Sequence, residues 1–264
     1  MTADLDLLRD VAHEAGRLAL SLQEGELKIT RKPGGSPVTN ADLAVDDLIK
    51  RRLRTARPDY GWLSEETADN PDRLTAKRLF MVDPIDGTVA YMKGRPWWSV
   101  SVAVVEDSRA RCGVIYAGGL EETYEAERGG GARLNGARIH ASGCADLKAC
   151  AMLSPKGAFT DWEWAEPWPE MRVENRNSIA LRMALVAAGA FDAAVALSEK
   201  SDWDLAAGLV ICEEAGAVVT DHQGRPLLLN SPGARHPSLV CAGPALHPLI
   251  LQRTATIDLP PVVE

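Results

Sequence analysis

The sequence predicts an α/β protein with an α+β first half and an α/β second half. Apolar residues near the start recur at three- and four-residue steps, as on one face of an amphipathic helix. Apolar and small residues alternate over Ser99–Val105, which is typical of a strand in an antiparallel meander. From about Lys148, strand and helix patterns alternate, which favours an α/β unit. We therefore divide the 264 residues into an N-terminal half, 1–147, and a C-terminal half, 148–264.

The first two helices are predicted by an apolar stripe and by a capping box. The stripe ends near Gly25 and comprises Leu5, Leu8, Ala12, Ala15, Ala19 and Leu22. Lys28–Pro37 is rich in Lys, Arg, Gly and Pro, so it reads as a mobile loop in which composition favours a solvated Lys32. Thr39–Asp42 then forms a capping box, and the helix dipole alone would explain an acid at Asp42.

The most informative stretch is a buried strand that ends in acidic residues. Leu79–Val82 is apolar and leads directly into Asp83-Pro84-Ile85-Asp86-Gly87-Thr88. Two carboxylates, a backbone carbonyl and a hydroxyl thus lie within six residues at a strand end. Mg²⁺ prefers such oxygen ligands, but Asp, Pro and Gly also favour ordinary turns. This segment alone therefore leaves a metal site and a turn equally open.

Two other segments supply further carboxylates. Tyr60–Glu66 ends in the adjacent acids Glu65 and Glu66, and only one of two strand neighbours can face a given ion. Far downstream, Trp203–Glu214 predicts a helix with Asp202 as its N-cap and Asp204 in its first turn. The sequence thus offers acids from three separate elements for one cation site.

The remaining elements follow from periodicity and turn residues. In chain order they are a half-buried strand at Ser99–Val105, strands at Cys112–Tyr116 and Thr123–Glu127, a hairpin end at Gly129–Gly131, a strand at Ala149–Leu153, a polar insert at Ser154–Asn177, a helix at Ser178–Ala188, and strands at Phe191–Leu197 and Ala217–Thr220. The insert holds Trp162, Trp164 and Trp168, whose roles as a base-binding surface or as packing residues stay open.

Composition narrows the partners and the compartment. A net charge of −8 argues against a general nucleic-acid-binding surface, and no apolar run is long enough to cross a membrane. The five cysteines form no CxxC pair and suit reduced thiols, and no secretion signal is visible at the N-terminus. We therefore expect a cytoplasmic protein without nucleic-acid or membrane partners.

The acidic motifs resemble those of the inositol monophosphatase superfamily of Mg²⁺-dependent, lithium-sensitive phosphatases. The matching stretches occur in the family's order and are Ser36–Asp42, Ser64–Glu66, Asp83–Thr88 and Trp203–Gly208. The resemblance covers nearly the whole chain. It implies a layered α/β/α/β/α sandwich of the inositol monophosphatase and fructose-1,6-bisphosphatase type, and a homodimer.

Residue by residue, the resemblance also implies a metal site. Glu65, Asp83 and the Ile85 carbonyl would hold one Mg²⁺, Asp83 would bridge to a second ion, and a weaker third ion would lie near Glu65. The ligands of the second ion would be Asp83, Asp86 and Asp204.

The resemblance further implies how a small phosphorylated metabolite is hydrolysed. The catalytic residues would be Asp42, Thr88 and Glu65, with Asp42 and Thr88 polarising a metal-activated water for in-line attack on phosphorus. The substrate-binding residues would be Asp86, Gly87, Thr88 and Asp204, with Gly87 and Thr88 offering backbone N–H groups to the phosphate.

The substrate itself lies outside the shared motifs. Ser36–Asp42 and Leu63–Glu66 look most like the 3′(2′),5′-bisphosphate nucleotidase branch, which converts adenosine 3′,5′-bisphosphate to AMP, although Val89-Ala90-Tyr91 replaces that branch's Lys-Glu-Phe. Inositol-1-phosphatase is the second alternative, but Leu197 stands at the spacing of its hydroxyl-binding Glu, and Glu199 and Lys200 are open substitutes.

Three other readings stay open. Gly94–Trp97 is similar to histidinol phosphatases, and fructose-1,6-bisphosphate is a further candidate substrate within the superfamily. The third reading is that the chain is a non-catalytic regulatory partner of another protein. Such a partner would have no need of clustered, mutually repelling carboxylates, which argues against this reading.

Overall fold

A computed structural model describes residues 2–32, 35–155, 157–160, 164, 166–260 and 262. The α-helices in this part of the chain are α1 (Ala3–Gln23), α2 (Asn40–Ala56), α3 (Thr88–Met92), α4 (Ile179–Ala187), α5 (Asp202–Glu214) and α6 (His247–Thr254). Short 3₁₀ turns lie at Pro71–Thr75 and Gly118–Leu120. None of the described helices is long and apolar enough to cross a membrane.

The larger sheet has seven strands in the order β3-β4-β5-β6-β7-β8-β9. Their bounds are β3 (Gly61–Ser64), β4 (Arg78–Asp86), β5 (Ser99–Glu106), β6 (Arg109–Ala117), β7 (Glu122–Glu127), β8 (Gly131–Leu134) and β9 (Ala137–Arg138). The strands from β4 to β9 pair antiparallel, so the predicted meander is confirmed. Among the described strands, β3 alone joins this sheet in parallel, beside β4.

The second sheet has five strands, in the order β11-β10-β12-β16-β14. Their bounds are β10 (Ala151–Leu153), β11 (Arg172–Glu174), β12 (Ala193–Ala196), β14 (Val218–Thr220) and β16 (Leu239–Ala242). The sheet is mixed, because β10 pairs in parallel with β11 and β12 whereas β16 is antiparallel to β12 and β14. Two-stranded ribbons are formed by β1 (Ile29–Arg31) with β2 (Pro37–Thr39) and by β13 (Lys200–Ser201) with β15 (Arg235–His236).

Three hydrophobic clusters arrange these elements in layers. Helices α1 and α2 cover one face of the larger sheet, where Leu8 and Ile49 pack with Val102. Helices α4 and α5 lie between the two sheets, in a cluster that includes Ala103 of β5 and Cys241 of β16. Helix α6 covers the outer face of the second sheet. The chain therefore has the expected α/β/α/β/α order, whereas a division at residues 147/148 stays a prediction.

The structure corrects three sequence predictions about strands and loops. Strand β5 is buried on both faces rather than half-buried, because α1 and α2 cover one side and α5 the other. Lys28–Pro37 is not simply a loop, since it contains β1 and ends on the first residue of β2, and these two strands pair antiparallel. The polar insert contributes β11 to the edge of the second sheet, because its short run of strand residues finds a backbone partner in β10.

The N-terminus of α2 could be predicted from local sequence, whereas that of α5 depends on tertiary contacts. The capping box predicted at the start of α2 is confirmed, since the Thr39 hydroxyl accepts backbone N–H bonds and Asp42 accepts from the Thr39 N–H. The predicted N-cap of α5 was wrong by one residue: Ser201 is the N-cap. Asp202 is buried in the helix and is held by His236 and by the Asn230 N–H, which sequence patterns do not show.

Candidate active site

The candidate site is built on the end of β4, where the strand ladder is interrupted. The pairing with β5 shifts between Asp83 and Asp86, so the two carboxylates leave the regular alternation of the strand. Gly87 follows with φ +94°, and a Cβ atom there would lie 2.9 Å from the Trp97 carbonyl oxygen. Only glycine fits this turn, which starts α3 immediately after the acids.

Three aspartates from the two halves of the chain meet at this point. Carboxylate oxygens of Asp83, Asp86 and Asp204 all lie within 4.8 Å of one another. Asp83 is 1% exposed. Asp204 lies in the first turn of α5, where its Oδ2 accepts the Ser201 N–H at 2.9 Å. The motifs that sequence analysis placed on separate elements thus form one acidic cluster, in which Asp83 and Asp86 are buried and Asp204 is partly exposed.

Helix α4 positions the Asp86 carboxylate, a role that sequence analysis missed. The Ser178 hydroxyl donates to Asp86 Oδ2 at 2.5 Å, and the Ala180 N–H donates to the same oxygen at 2.6 Å. The sequence shows Ser178 at the start of a helical stretch, where it is the N-cap. Nothing in the local pattern indicates that this helix start faces an acid 92 residues earlier.

The electrostatics of the cluster favour a cation. Burial, together with repulsion from Glu65 and from the other aspartates, raises the pKa of Asp83 well above its usual range. Burial likewise raises the pKa of Asp86 to about 6 and, with repulsion from Asp86, that of Asp204 to about 7. Because the cluster offers only oxygen ligands, a hard divalent cation such as Mg²⁺ fits it.

Thr88 and Asp42 form a pair beside the cluster. The Thr88 Oγ1 atom lies 3.2 Å from Asp42 Oδ1 and 3.2 Å from the Ile85 carbonyl oxygen, so its single proton can go to either acceptor. The other Asp42 oxygen accepts the Thr39 N–H and hydroxyl at 2.8 and 2.6 Å. Burial raises the Asp42 pKa even though these hydrogen bonds lower it. Asp42 therefore makes the contacts of a capping acid and those of an orienting group.

Glu65 and Glu66 both form ion pairs with Lys32, which composition predicts to be solvated. Lys32 Nζ lies 2.7 Å from Glu65 Oε1 and 2.7 Å from Glu66 Oε1. The expectation of a solvated Lys32 was therefore wrong, because two adjacent carboxylates hold its side chain at 23% exposure. The Glu66 side chain is only 5% exposed, and burial raises its pKa to about 7. Glu65 lies outside the tight trio of aspartates but is close enough to raise the pKa of each of them.

Two tryptophans of the polar insert, Trp164 and Trp168, pack away from the acids. Trp168 contacts Phe159 and Trp164, with ring centroids 4.6 and 5.2 Å apart. It joins the cluster on the outer face of the second sheet, whereas α4 and α5 cover the inner face. Trp162 lies outside the described residues. The packing role is thus the one seen for Trp164 and Trp168.

Comparison with known proteins identifies the family. Residues 4–258 match the inositol monophosphatase family. The chain belongs to that family. It is 32% identical to a histidinol-phosphatase of Chlorobaculum parvum, over 88% of this chain and 91% of that protein. It is 35% identical to an inositol-1-monophosphatase of Mesorhizobium japonicum, over 87% and 90% of the two chains.

The solved structures agree with this assignment. The inositol monophosphatase of Thermotoga maritima superposes with a TM-score of 0.83 at 30% identity, covering 95% of this chain and 96% of that one. The layered fold expected from the sequence is confirmed by this match. The protein is accordingly an inositol monophosphatase-family phosphatase, a phosphoric monoester hydrolase that acts on small phosphorylated substrates.

Proposed function

We propose that this family member is a Mg²⁺-dependent phosphomonoesterase that acts on a 3′(2′),5′-bisphosphorylated nucleotide. It would hydrolyse adenosine 3′,5′-bisphosphate to AMP and phosphate. The observation that carries the proposal is the acidic cluster of Asp83, Asp86 and Asp204 with the Thr88–Asp42 pair beside it. Phosphoryl transfer requires neutralised charge and a positioned nucleophile, and this arrangement supplies groups for both.

In this proposal the carboxylates would be shared between two Mg²⁺ ions. Glu65, Asp83 and the Ile85 carbonyl would hold one, and Asp83 would bridge to a second held with Asp86 and Asp204. Bound Mg²⁺ would offset the charge of the phosphoryl oxygens and lower the pKa of water by several units. Lys32 already offsets the charge of Glu65, which leaves less need for a third ion at that position.

Thr88 and Asp42 would handle the proton of the attacking water. The Thr88 hydroxyl can accept a hydrogen bond from water while donating its own proton toward Asp42, 3.2 Å away. Burial raises the pKa of Asp42, which makes its carboxylate a better proton acceptor. The Gly87 and Thr88 N–H groups, at the start of α3, would orient the phosphate for in-line attack.

The choice of a nucleotide over inositol rests on the residues before α5. Leu197 stands where the inositol enzymes carry a hydroxyl-binding Glu. Glu199 does not substitute for it, because its carboxylate pairs with Arg235 at the surface. The Ser36–Asp42 and Leu63–Glu66 stretches also resemble the nucleotidase branch more than the inositol branch.

Phosphate release with Mg²⁺ from adenosine 3′,5′-bisphosphate, inositol-1-phosphate and histidinol phosphate, each with and without Li⁺, tests the proposal. We expect the highest kcat/KM for the nucleotide, inhibition by Li⁺, and no release once EDTA is added. A higher kcat/KM for inositol-1-phosphate or histidinol phosphate would overturn the nucleotide assignment. Release that persists in EDTA would overturn the metal assignment.

A further inference from the structure

Asp46 is a buried acid of α2 whose two carboxylate oxygens each accept a hydrogen bond from a hydroxyl group. The residue is 6% exposed and lies one helical turn after Asp42. The Ser64 hydroxyl donates to Asp46 Oδ1, and the Thr67 hydroxyl donates to Asp46 Oδ2 at 2.8 Å. One side chain of α2 therefore binds the segment that follows β3 at two points, three residues apart.

The two acids Glu65 and Glu66 lie between the residues that Asp46 binds. Strand β3 ends at Ser64, and the Glu65 N–H still donates to the Val82 carbonyl oxygen at 3.2 Å. The pairing with β4 stops there, and the Glu66 N–H reaches the Ser64 hydroxyl at 3.4 Å. Side chains rather than a strand ladder therefore fix the backbone of this turn.

A turn that carries two adjacent carboxylates needs such fixed points. Like charges on Glu65 and Glu66 repel each other, and this repulsion favours conformations that separate them. Lys32 offsets part of it, since its Nζ lies 2.7 Å from an oxygen of each acid. That contact holds the ends of the two side chains. Asp46 instead binds the residues on either side of the pair, so it restrains the direction in which the acids leave the backbone.

Helix α2 links this turn to the other end of the candidate site. Asp42 and Asp46 are four residues apart and so lie on the same face of the helix. Asp42 contacts Thr88 at the start of α3, with 3.2 Å between Oδ1 and Oγ1. Asp46 contacts the turn that carries Glu65. Because Ile49 packs in the core one turn later, the helix holds both contacts in a fixed relation.

We propose that Asp46 is a positioning residue for Glu65: through Ser64 and Thr67 it keeps the Glu65 carboxylate directed toward the three clustered aspartates. This inference rests on the proposed function, in which Glu65 would hold one of the Mg²⁺ ions. It adds a residue that contacts neither ion nor substrate and acts only through the ligand that it orients. Outer partners of this kind commonly tune the metal affinity of a site.

The test measures Mg²⁺ affinity in two ways. Calorimetric titration of the metal-free protein with Mg²⁺ needs no substrate, and the Mg²⁺ concentration that gives half-maximal phosphate release is its kinetic counterpart. Asp46→Ala removes both acceptors and should weaken Mg²⁺ binding by about 10–100-fold in each measurement. The kcat at saturating Mg²⁺ should recover toward the wild-type value, because the clustered aspartates and Thr88 are unchanged.

Further variants separate positioning from folding. Thr67→Val removes one hydroxyl at nearly constant volume and should cause a smaller loss of Mg²⁺ affinity, whereas Thr67→Ser keeps the hydroxyl and should retain most of it. Asp47→Asn is the matched control, because Asp47 is the neighbouring acid on α2 and pairs with Arg51 at the surface. It should keep the wild-type Mg²⁺ affinity. Thermal melts in EDTA measure the effect of each variant on folding alone.

The outcomes distinguish this inference from the proposed function. A lower melting temperature of Asp46→Ala in EDTA, with wild-type Mg²⁺ affinity, would show a purely structural residue and overturn the positioning role. If Asp46→Ala does not fold, an unchanged Mg²⁺ affinity in Thr67→Val would overturn it instead. A wild-type protein that binds no Mg²⁺ would overturn the metal assignment and this role together. Preference for a phosphate ester other than the nucleotide would leave the role standing, since the titration contains no substrate.

Discussion

Ser178 and Asp86 are joined by a 2.5 Å hydrogen bond across 92 residues of sequence. The same Asp86 oxygen accepts the Ala180 N–H at 2.6 Å, so an acid of β4 satisfies an N–H group at the start of α4. Because α5 brings Asp204 to the same point, helices of the C-terminal half hold two of the three clustered carboxylates in place. The geometry of the site therefore depends on how α4 and α5 pack between the sheets.

Replacing the central acid should separate folding from metal binding. Asp83→Asn should lower Mg²⁺-dependent turnover by at least about 100-fold, since loss of an outer partner of a metal site alone costs about 10–100-fold. The metal-free variant should melt at a higher temperature than the wild type, because a buried and repelled charge is removed. Activity assays and thermal melts with and without Mg²⁺ check both effects.

Asp10→Asn, on the exposed face of α1, is the control for the Asp83 variant. Full activity in Asp83→Asn would rule out its role as the bridging ligand.

The metal-free protein should lose stability as the pH rises from about 4 to about 7. Asp86 and Asp204 have folded-state pKa values of about 6 and about 7, above that of an unfolded aspartate, so the folded state binds more protons in this window. Ionising each group then costs stability, by about 1.4 kcal/mol for each unit of pKa difference. Urea unfolding in EDTA at several pH values measures this loss, and Mg²⁺ should restore stability most at high pH. A metal-free stability that rises between pH 5 and 7 would contradict the prediction.

The Thr88 hydroxyl can be tested by an isosteric change. Thr88→Val should lower kcat by about 10²–10⁴-fold, the usual range for a group that transfers protons. The Mg²⁺-induced rise in melting temperature should remain, because the clustered carboxylates are untouched. Thr88→Ser keeps a hydroxyl that can reach Asp42 and should retain most activity. If Thr88→Val is as active as Thr88→Ser, the hydroxyl takes no part in the reaction.

Sequence patterns predicted those parts of the fold that depend on local interactions. The stripe of α1, the capping box at Thr39 and the alternation over β5 are each visible within a short stretch of sequence, and each element is present. Sequence patterns predict no element beyond Thr220, because β15 and β16 are short and are stabilised by pairing with distant strands. Strand β11 is not predicted for the same reason, since its partner β10 lies about 20 residues earlier in the chain.

The residues of the candidate site likewise fall into those that sequence motifs predict and those that only the structure shows. The motifs identified Asp83, Asp86 and Asp204, and the structure brings them together. The positions of Ser178 and Lys32 could not be read from the sequence, because each contacts an acid more than 30 residues away. Composition correctly describes an average lysine but not one that lies between two partly buried glutamates.

Lys32 should stabilise the protein most when Glu66 is ionised. Lys32→Met leaves Glu65 and Glu66 without their shared cation, and we expect a loss of about 1–2 kcal/mol because these three side chains are largely buried. The pKa of Glu66 is about 7, so the loss should be larger at pH 8 than at pH 5. Urea unfolding of the metal-free protein measures it, with Lys77→Met at an exposed lysine as the control. Equal losses at the two pH values would show that Glu66 is not the charge that Lys32 compensates.

Trp168 should contribute to the stability of the fold and not to nucleotide binding. Its ring packs on Phe159 and Trp164 at the outer face of the second sheet, on the far side from α5. Trp168→Ala should cost about 2–3 kcal/mol in unfolding free energy, below the range of about 3–5 kcal/mol for fully buried tryptophans because this ring is partly exposed. The KM for adenosine 3′,5′-bisphosphate should stay within about twofold of the wild-type value, since the substitution removes no contact at the acidic cluster. Leu228→Ala, at an exposed side chain, should change neither quantity. A large rise in KM with unchanged stability would instead mean that the tryptophan-rich insert contacts the base.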